Sequence, residues 1–207
     1  YEPYQSGRVF EPSILEQLAI LPTVCEAFGF AVGKGAGYEA DDFLAAAVAA
    51  ERARGGTSLV ATSDRDAFQL AADDVTILQP VRGVSELARI GPAEVRERYG
   101  VEPEQVPDFI ALRGDPSDKI PGARGVGAKT AASLLAQQGT LDALLAAGRF
   151  SQEADALRTF RHVATLDPSA PIPDLPDVQP DWRAGAAAAE ALGLGRLAGR
   201  LEDAASS

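Results

Sequence analysis

The sequence predicts an α/β domain with a mainly parallel sheet flanked by helices, followed by a helical region. Three observations predict it. Short β-type runs alternate with helical segments as far as Ile90. From Pro92 onward the apolar spacing is helical only. Acidic residues gather where β-type runs end, and parallel α/β sheets collect ligands at the carboxyl ends of their strands.

Residues 1–12 are polar and turn-rich. Residues 13–28 carry Ile14, Leu15, Leu18, Leu21 and Val24 at helical spacing, with Ser13 as the N-cap and Pro22 as a kink or break. Residues 28–32 form a short apolar run that reads as a strand, and residues 33–37 a loop. Residues 38–54 read as a helix stopped by Gly55-Gly56, with Glu39, Asp41 and Asp42 in its first turn. Residues 58–62 (SLVAT) are β-type and stop at Ser63-Asp64; residues 65–71 are a short helix. Residues 75–78 and 87–90 read as further strands, the last edge-like. The helical half comprises residues 92–99, 103–112, 126–137, 141–147 and 151–163. Residues 167–181 are rich in Pro and Asp and read as an extended linker, and residues 184–201 as one or two small helices around Gly193-Leu194-Gly195. The predicted regions are therefore 1–91, 92–166 and 167–207.

The 207 residues allow one ordinary domain, or one with a small appendage. No run of eighteen apolar residues exists, which predicts no membrane span. A single cysteine, Cys25, excludes an intramolecular disulfide and a cysteine-rich zinc site, and fits a reducing cytoplasm. A single histidine, His162, removes most histidine-based catalysis. The net charge of −11 opposes a general electrostatic footprint for nucleic acid, unless many of the acids serve one cation site. Methionine is absent, the initiator included, so the N-terminus is expected to be processed or to begin before Tyr1.

Three acidic clusters stand out: Glu39, Asp41 and Asp42; Asp64 and Asp66; Asp115 and Asp118. Singly, each has a plain reading. Acids in a first helical turn complement the helix dipole, Asp64 caps the helix after it, and Asp-Pro-Ser-Asp makes a turn. Together they suggest hard oxygen ligands for two Mg²⁺ or Mn²⁺ ions, which can activate water and stabilise the leaving oxygen of a phosphodiester.

The last cluster adjoins a glycine turn, Gly122-Ala-Arg-Gly-Val-Gly127-Ala-Lys-Thr. It is not a P-loop: Ala128 separates Gly127 from Lys129 and no apolar strand precedes it. A hairpin between two helices fits better. Gly122, Gly125 and Gly127 let backbone approach a phosphate, and the amides around Val126 and Thr130 point at it. Lys129 and Arg124 add positive charge. Such contacts read structure rather than sequence. The plain alternative is a helix connection with no ligand. Cys25 reads as core, His162 as a helix-end base and Trp182 as a tail anchor.

The segments Tyr38-Glu-Ala-Asp-Asp42, Thr62-Ser-Asp-Arg-Asp66, Gly114-Asp-Pro-Ser-Asp118 and Ile120-Pro-Gly-Ala-Arg-Gly-Val-Gly-Ala-Lys-Thr-Ala131 resemble, in order and spacing, the 5′→3′ exonuclease and flap endonuclease family. That family includes the nuclease domain of bacterial DNA polymerase I. The resemblance runs from Tyr1 to about Leu145. It implies a PIN-like α/β domain, a helix–hairpin–helix DNA-binding region and hydrolysis near the 5′ ends of flapped DNA with two metal ions. It implies Glu39, Asp41, Asp42, Asp64, Asp66, Asp115 and Asp118 as metal-centre carboxylates, and a potassium ion at the hairpin. Asp41, Asp42, Asp64 and Asp66 then serve catalysis, with Arg8 at a basic arch position. The expected partners are DNA with 5′ ends or flaps, and a DNA polymerase in cis or in trans; a monomer is expected. Departures are Gln5 where many members have Lys, Lys119 where Asn is common, and two early metal-binding strands that would precede Tyr1. A non-catalytic branched-DNA-binding module is the main alternative, and a PIN-type ribonuclease a weaker one.

Overall fold

The computed structural model describes residues 10–206. In chain order they form α1 (Pro12–Ala27), α2 (Ala40–Ala53), β1 (Ser58–Ala61), a 3₁₀ turn (Asp66–Leu70), β2 (Val75–Arg82) and β3 (Glu86–Ile90). There follow α3 (Pro92–Tyr99), a second 3₁₀ turn (Pro103–Gln105), α4 (Val106–Arg113), α5 (Ala128–Gln138), α6 (Leu141–Ala146) and α7 (Ala154–Ala164). Last come α8 (Trp182–Ala191) and α9 (Gly195–Ala205). The chain divides into two compact units: Tyr38–Ala170, and residues 10–37 with 171–206 among those described.

In the first unit, α2 begins where Glu39 adopts an extended conformation and Asp42 Oδ2 accepts the Glu39 N–H at 2.9 Å. The helix buries Ala45, Ala46 and Val48, and past Arg54 the chain turns at Gly55 with φ +75°. β1 pairs in parallel with β2, Ser58 opposite Val75 and Ala61 opposite Leu78. On β2, Val75 and Ile77 point inward, at the two-residue spacing of a pleated strand. β3 returns antiparallel to β2, with a register shift between Pro80 and Arg82, where proline has no N–H for the ladder. The described sheet, ordered β1-β2-β3, is therefore mixed rather than mainly parallel. The reason is local: the short turn through Gly83, at φ +55°, can reverse the chain, whereas a parallel return needs a long crossover.

One apolar cluster joins the sheet to the helical region. It includes Val60, Phe68, Ile77 and Ile90 from the sheet side and Phe109, Leu112, Leu135, Leu144 and Leu157 from the helices. Most of these are essentially fully buried, each contributing about 1.5–3 kcal/mol of transfer free energy. The change of pattern near Gly91 is a change of secondary structure within one core.

In the second unit, α8 and α9 pack through Ala186, Ala189, Ala198 and Leu201, with Phe28 and Trp182 against them. Trp182 is the tail anchor its position suggested. A Cβ on Gly185 would lie 2.7 Å from the Phe28 ring, so only glycine fits without displacing it. Residues 28–32 form no strand. Phe28 instead stacks on Phe30 at 5.8 Å and meets Trp182 edge-on at 6.2 Å, and its carbonyl accepts the Asp181 N–H at 2.8 Å. Glu11, not Ser13, is the N-cap of α1, and the helix runs through Pro22. No α1 residue is buried, so a carbonyl deprived of its partner there can bond water. For the same reason Cys25 is half-buried rather than core. Among the described residues no helix is long and apolar enough to cross a membrane.

Candidate functional site

Three local structures carry the acids. Beyond β1 the chain makes a tight polar turn: Thr62 Oγ1 accepts the Asp64 N–H and Asp64 Oδ1 accepts the Asp66 N–H, each at 3.0 Å. This fixes Asp64 and starts the 3₁₀ turn at Asp66. The first turn of α2 supplies Asp41 and Asp42. After α4, Asp115 and Ile120 exchange two backbone hydrogen bonds of 2.8 Å, closing a loop that carries Asp118. Lys119 sits in that loop at φ +59°, a conformation asparagine adopts more easily than lysine.

Electrostatics show which of these groups share a neighbourhood. Burial first, and then the charges of Asp64, Asp118, Asp115 and Asp41, push the Asp66 carboxyl up to about 8. Asp41 is pushed up to about 6, by burial first and then by Asp64, Glu39 and Asp42. Asp41, Asp64, Asp115 and Asp118 thus share a neighbourhood with Asp66, while Glu39 and Asp42 act on Asp41. The donor set is all carboxylate oxygen and mutually repulsive, which suits a hard divalent cation. Among the described residues, however, no three His, Cys, Asp or Glu side chains close in far enough to hold an ion by themselves. That openness is compatible with Mg²⁺, which keeps several waters and binds through one or two carboxylates and substrate phosphates.

Asp42 and Asp115 are engaged by further protein groups. Both Asp42 oxygens accept backbone N–H groups, Oδ2 from Glu39 at 2.9 Å and Oδ1 from Asp167 at 2.8 Å. Asp115 Oδ1 accepts the Ser117 N–H at 2.9 Å and the Ser117 hydroxyl, while Oδ2 accepts from Arg113 Nη2 at 3.0 Å. Sequence reasoning missed Arg113. Its guanidinium also donates from Nε to the Gly114 carbonyl at 2.8 Å and lies over the Phe109 and Tyr99 rings, at 5.2 and 5.9 Å. Its place two residues before Asp115 was the available signal. Gln69, also missed, is the polar residue within the otherwise apolar run AFQLA. Arg8 and Gln5 lie outside the described residues.

The glycine turn joins α4 to α5, as a hairpin between helices should. Gly122 has φ +74°, and a Cβ there would lie 2.5 Å from the Gly114 N and 2.6 Å from the Arg113 carbonyl carbon. Two backbone segments cross at that point with no room for a side chain. Ala123 is buried and Val126 packs against the core, which holds the hairpin from within. Arg124, Gly125, Gly127, Lys129 and Thr130 are exposed. Gly127 begins α5 with no side-chain cap and no acid in the first turn. The α5 N-terminus therefore presents backbone donors and partial positive charge beside Lys129. Glu153 Oε1 accepts the Arg124 N–H at 3.0 Å and braces the turn from the side of α7.

Known proteins resemble this chain in sequence and in fold. Residues 1–100 match the family model described as 5′-3′ exonuclease, N-terminal resolvase-like domain, and residues 101–182 that described as 5′-3′ exonuclease, C-terminal SAM fold. A 5′-3′ exonuclease of Streptomyces coelicolor is 38% identical over 204 residues, covering 89% of this chain and 67% of that protein. The chain belongs to the 5′-3′ exonuclease family. DNA polymerase I of Mycobacterium tuberculosis, another relative of this family member, is 47% identical over 146 residues. That alignment takes in 70% of this chain but only 16% of the polymerase. Among solved structures, the T5 5′-exonuclease with bound divalent metal ions (zinc) superposes with a TM-score of 0.65 at 18% identity, over 96% of this chain and 73% of its own. A bacteriophage T5 flap endonuclease with DNA and metal ions gives 0.60 at 18% identity, over 98% and 74%. At that identity the likeness is one of fold, and it bears out an α/β domain followed by a helical one.

Proposed function

We propose that this member of the 5′-3′ exonuclease family is a structure-selective nuclease that hydrolyses DNA phosphodiester bonds near 5′ ends and flaps. The observation that carries the reading is Asp66, half-buried and within reach of the charges of four other carboxylates, on the unit that also holds the hairpin. Asp41, Asp64, Asp66, Asp115 and Asp118 would hold Mg²⁺ or Mn²⁺, two ions when fully loaded, with Glu39 and Asp42 at the edge of the group. Bound ions would supply Lewis acidity to the attacking water and to the leaving oxygen. The chain's own residues do the rest. Asp66 and Asp41 must be deprotonated to serve as ligands, so both titrate against the cation. The hairpin amides of residues 122–130, with Lys129 and Arg124, hold backbone phosphates and aim one phosphodiester at the acids. Backbone contacts carry no sequence information, which favours selection by DNA structure. Arg8 belongs to the reading by its motif position, as does a potassium ion at the hairpin. The polymerase relatives favour work in replication and repair beside a DNA polymerase, in cis or in trans, in the cytoplasm.

The open carboxylate group favours a second reading, a branched-DNA-binding module whose metal site does not turn over. One experiment separates the two: a labelled 5′-flap duplex incubated with the protein in Mg²⁺, in Mn²⁺ and in EDTA. Short 5′ products that vanish with EDTA are the expected result. Binding without cleavage in either metal would favour the second reading.

A further inference from the structure

Gln69 lies on the same 3₁₀ turn as Asp66 and uses its whole amide to fasten that turn to a distant helix. Its Nε2 donates to the Asp66 carbonyl and to the carbonyl of Ala164, the last residue of α7, each at 2.9 Å. Its Oε1 accepts the Leu166 N–H at 3.1 Å. Two carbonyls on one side and an N–H on the other allow one orientation of the amide only. The next residue continues the fastening, because Asp167 N–H donates to Asp42 at the start of α2. Residues 164–167 are thus tied to two of the acid-bearing segments.

The other end of α7 meets the hairpin. Glu153, its N-cap, accepts the Arg124 N–H at 3.0 Å. Between these ends Leu157, Phe160 and Ala164 are buried, which seats α7 firmly on the core. Its 11 residues span about 16 Å. A packed helix bonded at one end to a phosphate-binding turn and at the other to an acidic turn fixes the separation between them.

We propose that Gln69 is a positioning residue. It holds the Asp64–Asp66 turn against the end of α7 and, through α7 and Glu153, sets the acids at a fixed distance from the hairpin. This rests on the metal-site reading above, with Asp64 and Asp66 as ligands. Gln69 itself touches neither cation nor DNA. Loss of its bonds loosens the ligands while leaving the hairpin's grip on DNA intact. Groups that orient metal ligands in this way typically carry 10–100-fold effects on metal affinity or activity.

The test compares wild type with Gln69→Leu, which keeps bulk without hydrogen bonds, and Gln69→Glu, which keeps the acceptor for Leu166 but turns an oxygen toward both carbonyls. Four quantities are measured: thermal unfolding without metal, Mn²⁺ affinity by calorimetry, flap-DNA affinity in EDTA, and kcat and KM for cleavage. Both variants are expected to lose about tenfold or more in Mn²⁺ affinity and in kcat, with DNA affinity and KM within about twofold of wild type. If Gln69→Leu does not fold, Gln69→Glu decides on the same readouts. Either variant with wild-type Mn²⁺ affinity and kcat overturns the assignment. So does a loss in all readouts that merely follows a fall in the folded fraction. A wild-type protein that binds no Mn²⁺ and cuts no flap would instead remove the metal-site reading, which keeps the two failures apart.

Discussion

Asp66 is the residue on which the proposed chemistry converges. Burial first, and then four neighbouring carboxylates, push its carboxyl up from an ordinary 3.8 to about 8 in the folded chain. The folded state therefore holds the Asp66 proton more tightly than the unfolded state between those values. Stability falls as pH rises through that window, since the native form binds more protons there. Asp41, pushed up to about 6, adds to the same trend over the lower part of it. The metal-free protein should thus show a melting temperature that declines from pH 5 to pH 9, and a divalent cation should restore it at the high end. Asp66→Asn should flatten the decline, remove most of the cation's effect and lower cleavage by at least about 100-fold, much as loss of an electrostatic stabiliser does elsewhere. Melting curves against pH with and without Mn²⁺ check all three; a metal-free melting point indifferent to pH would contradict the electrostatics. Lys129 makes a separate prediction. Lys129→Ala should weaken DNA binding in every sequence context and reduce the log–log salt slope by about one. An unchanged slope in a salt titration would remove Lys129 from the phosphate site.

Elements set where these residues stand. Gly122→Ala should destabilise the protein by more than the ~1–2 kcal/mol of left-handed backbone alone, because the new Cβ would meet the Gly114 and Arg113 backbone. Denaturant melts should show that loss, and DNA affinity should fall with it. Phe109 packs in the shared core, stacks on Tyr99 at 5.0 Å and lies under Arg113. Phe109→Ala should cost about 3–5 kcal/mol and free the guanidinium that bonds Asp115. At this scale the sequence was readable where structure is local. The Asp64 turn, the start of α2 and the glycine hairpin depend on residues a few positions apart, so their spacing is visible directly. The parts that escaped depend on distant partners. Gln69 bonds to Ala164 and Leu166, and Phe28 finds Trp182 instead of a strand. The antiparallel β3 escaped because a short apolar run does not state its direction.

For the whole molecule, a net charge of −11 and the proposed preference for DNA look opposed. The arrangement of charge resolves the opposition. Acids gather around Asp66, where cations would invert the potential, while the hairpin offers backbone amides and a lysine with no acid in the α5 first turn. DNA binding by the unloaded protein should accordingly be weak and should strengthen when a divalent cation is present. On the proposed reading, acids from separate segments form one cation site. Calorimetric titration of Mn²⁺ into the wild-type protein at pH 6 and at pH 8.5 tests it most directly. Binding that tightens at the higher pH, with proton release largest at the lower, is the predicted result. Absence of Mn²⁺ binding at both pH values, or an affinity indifferent to pH, would contradict it.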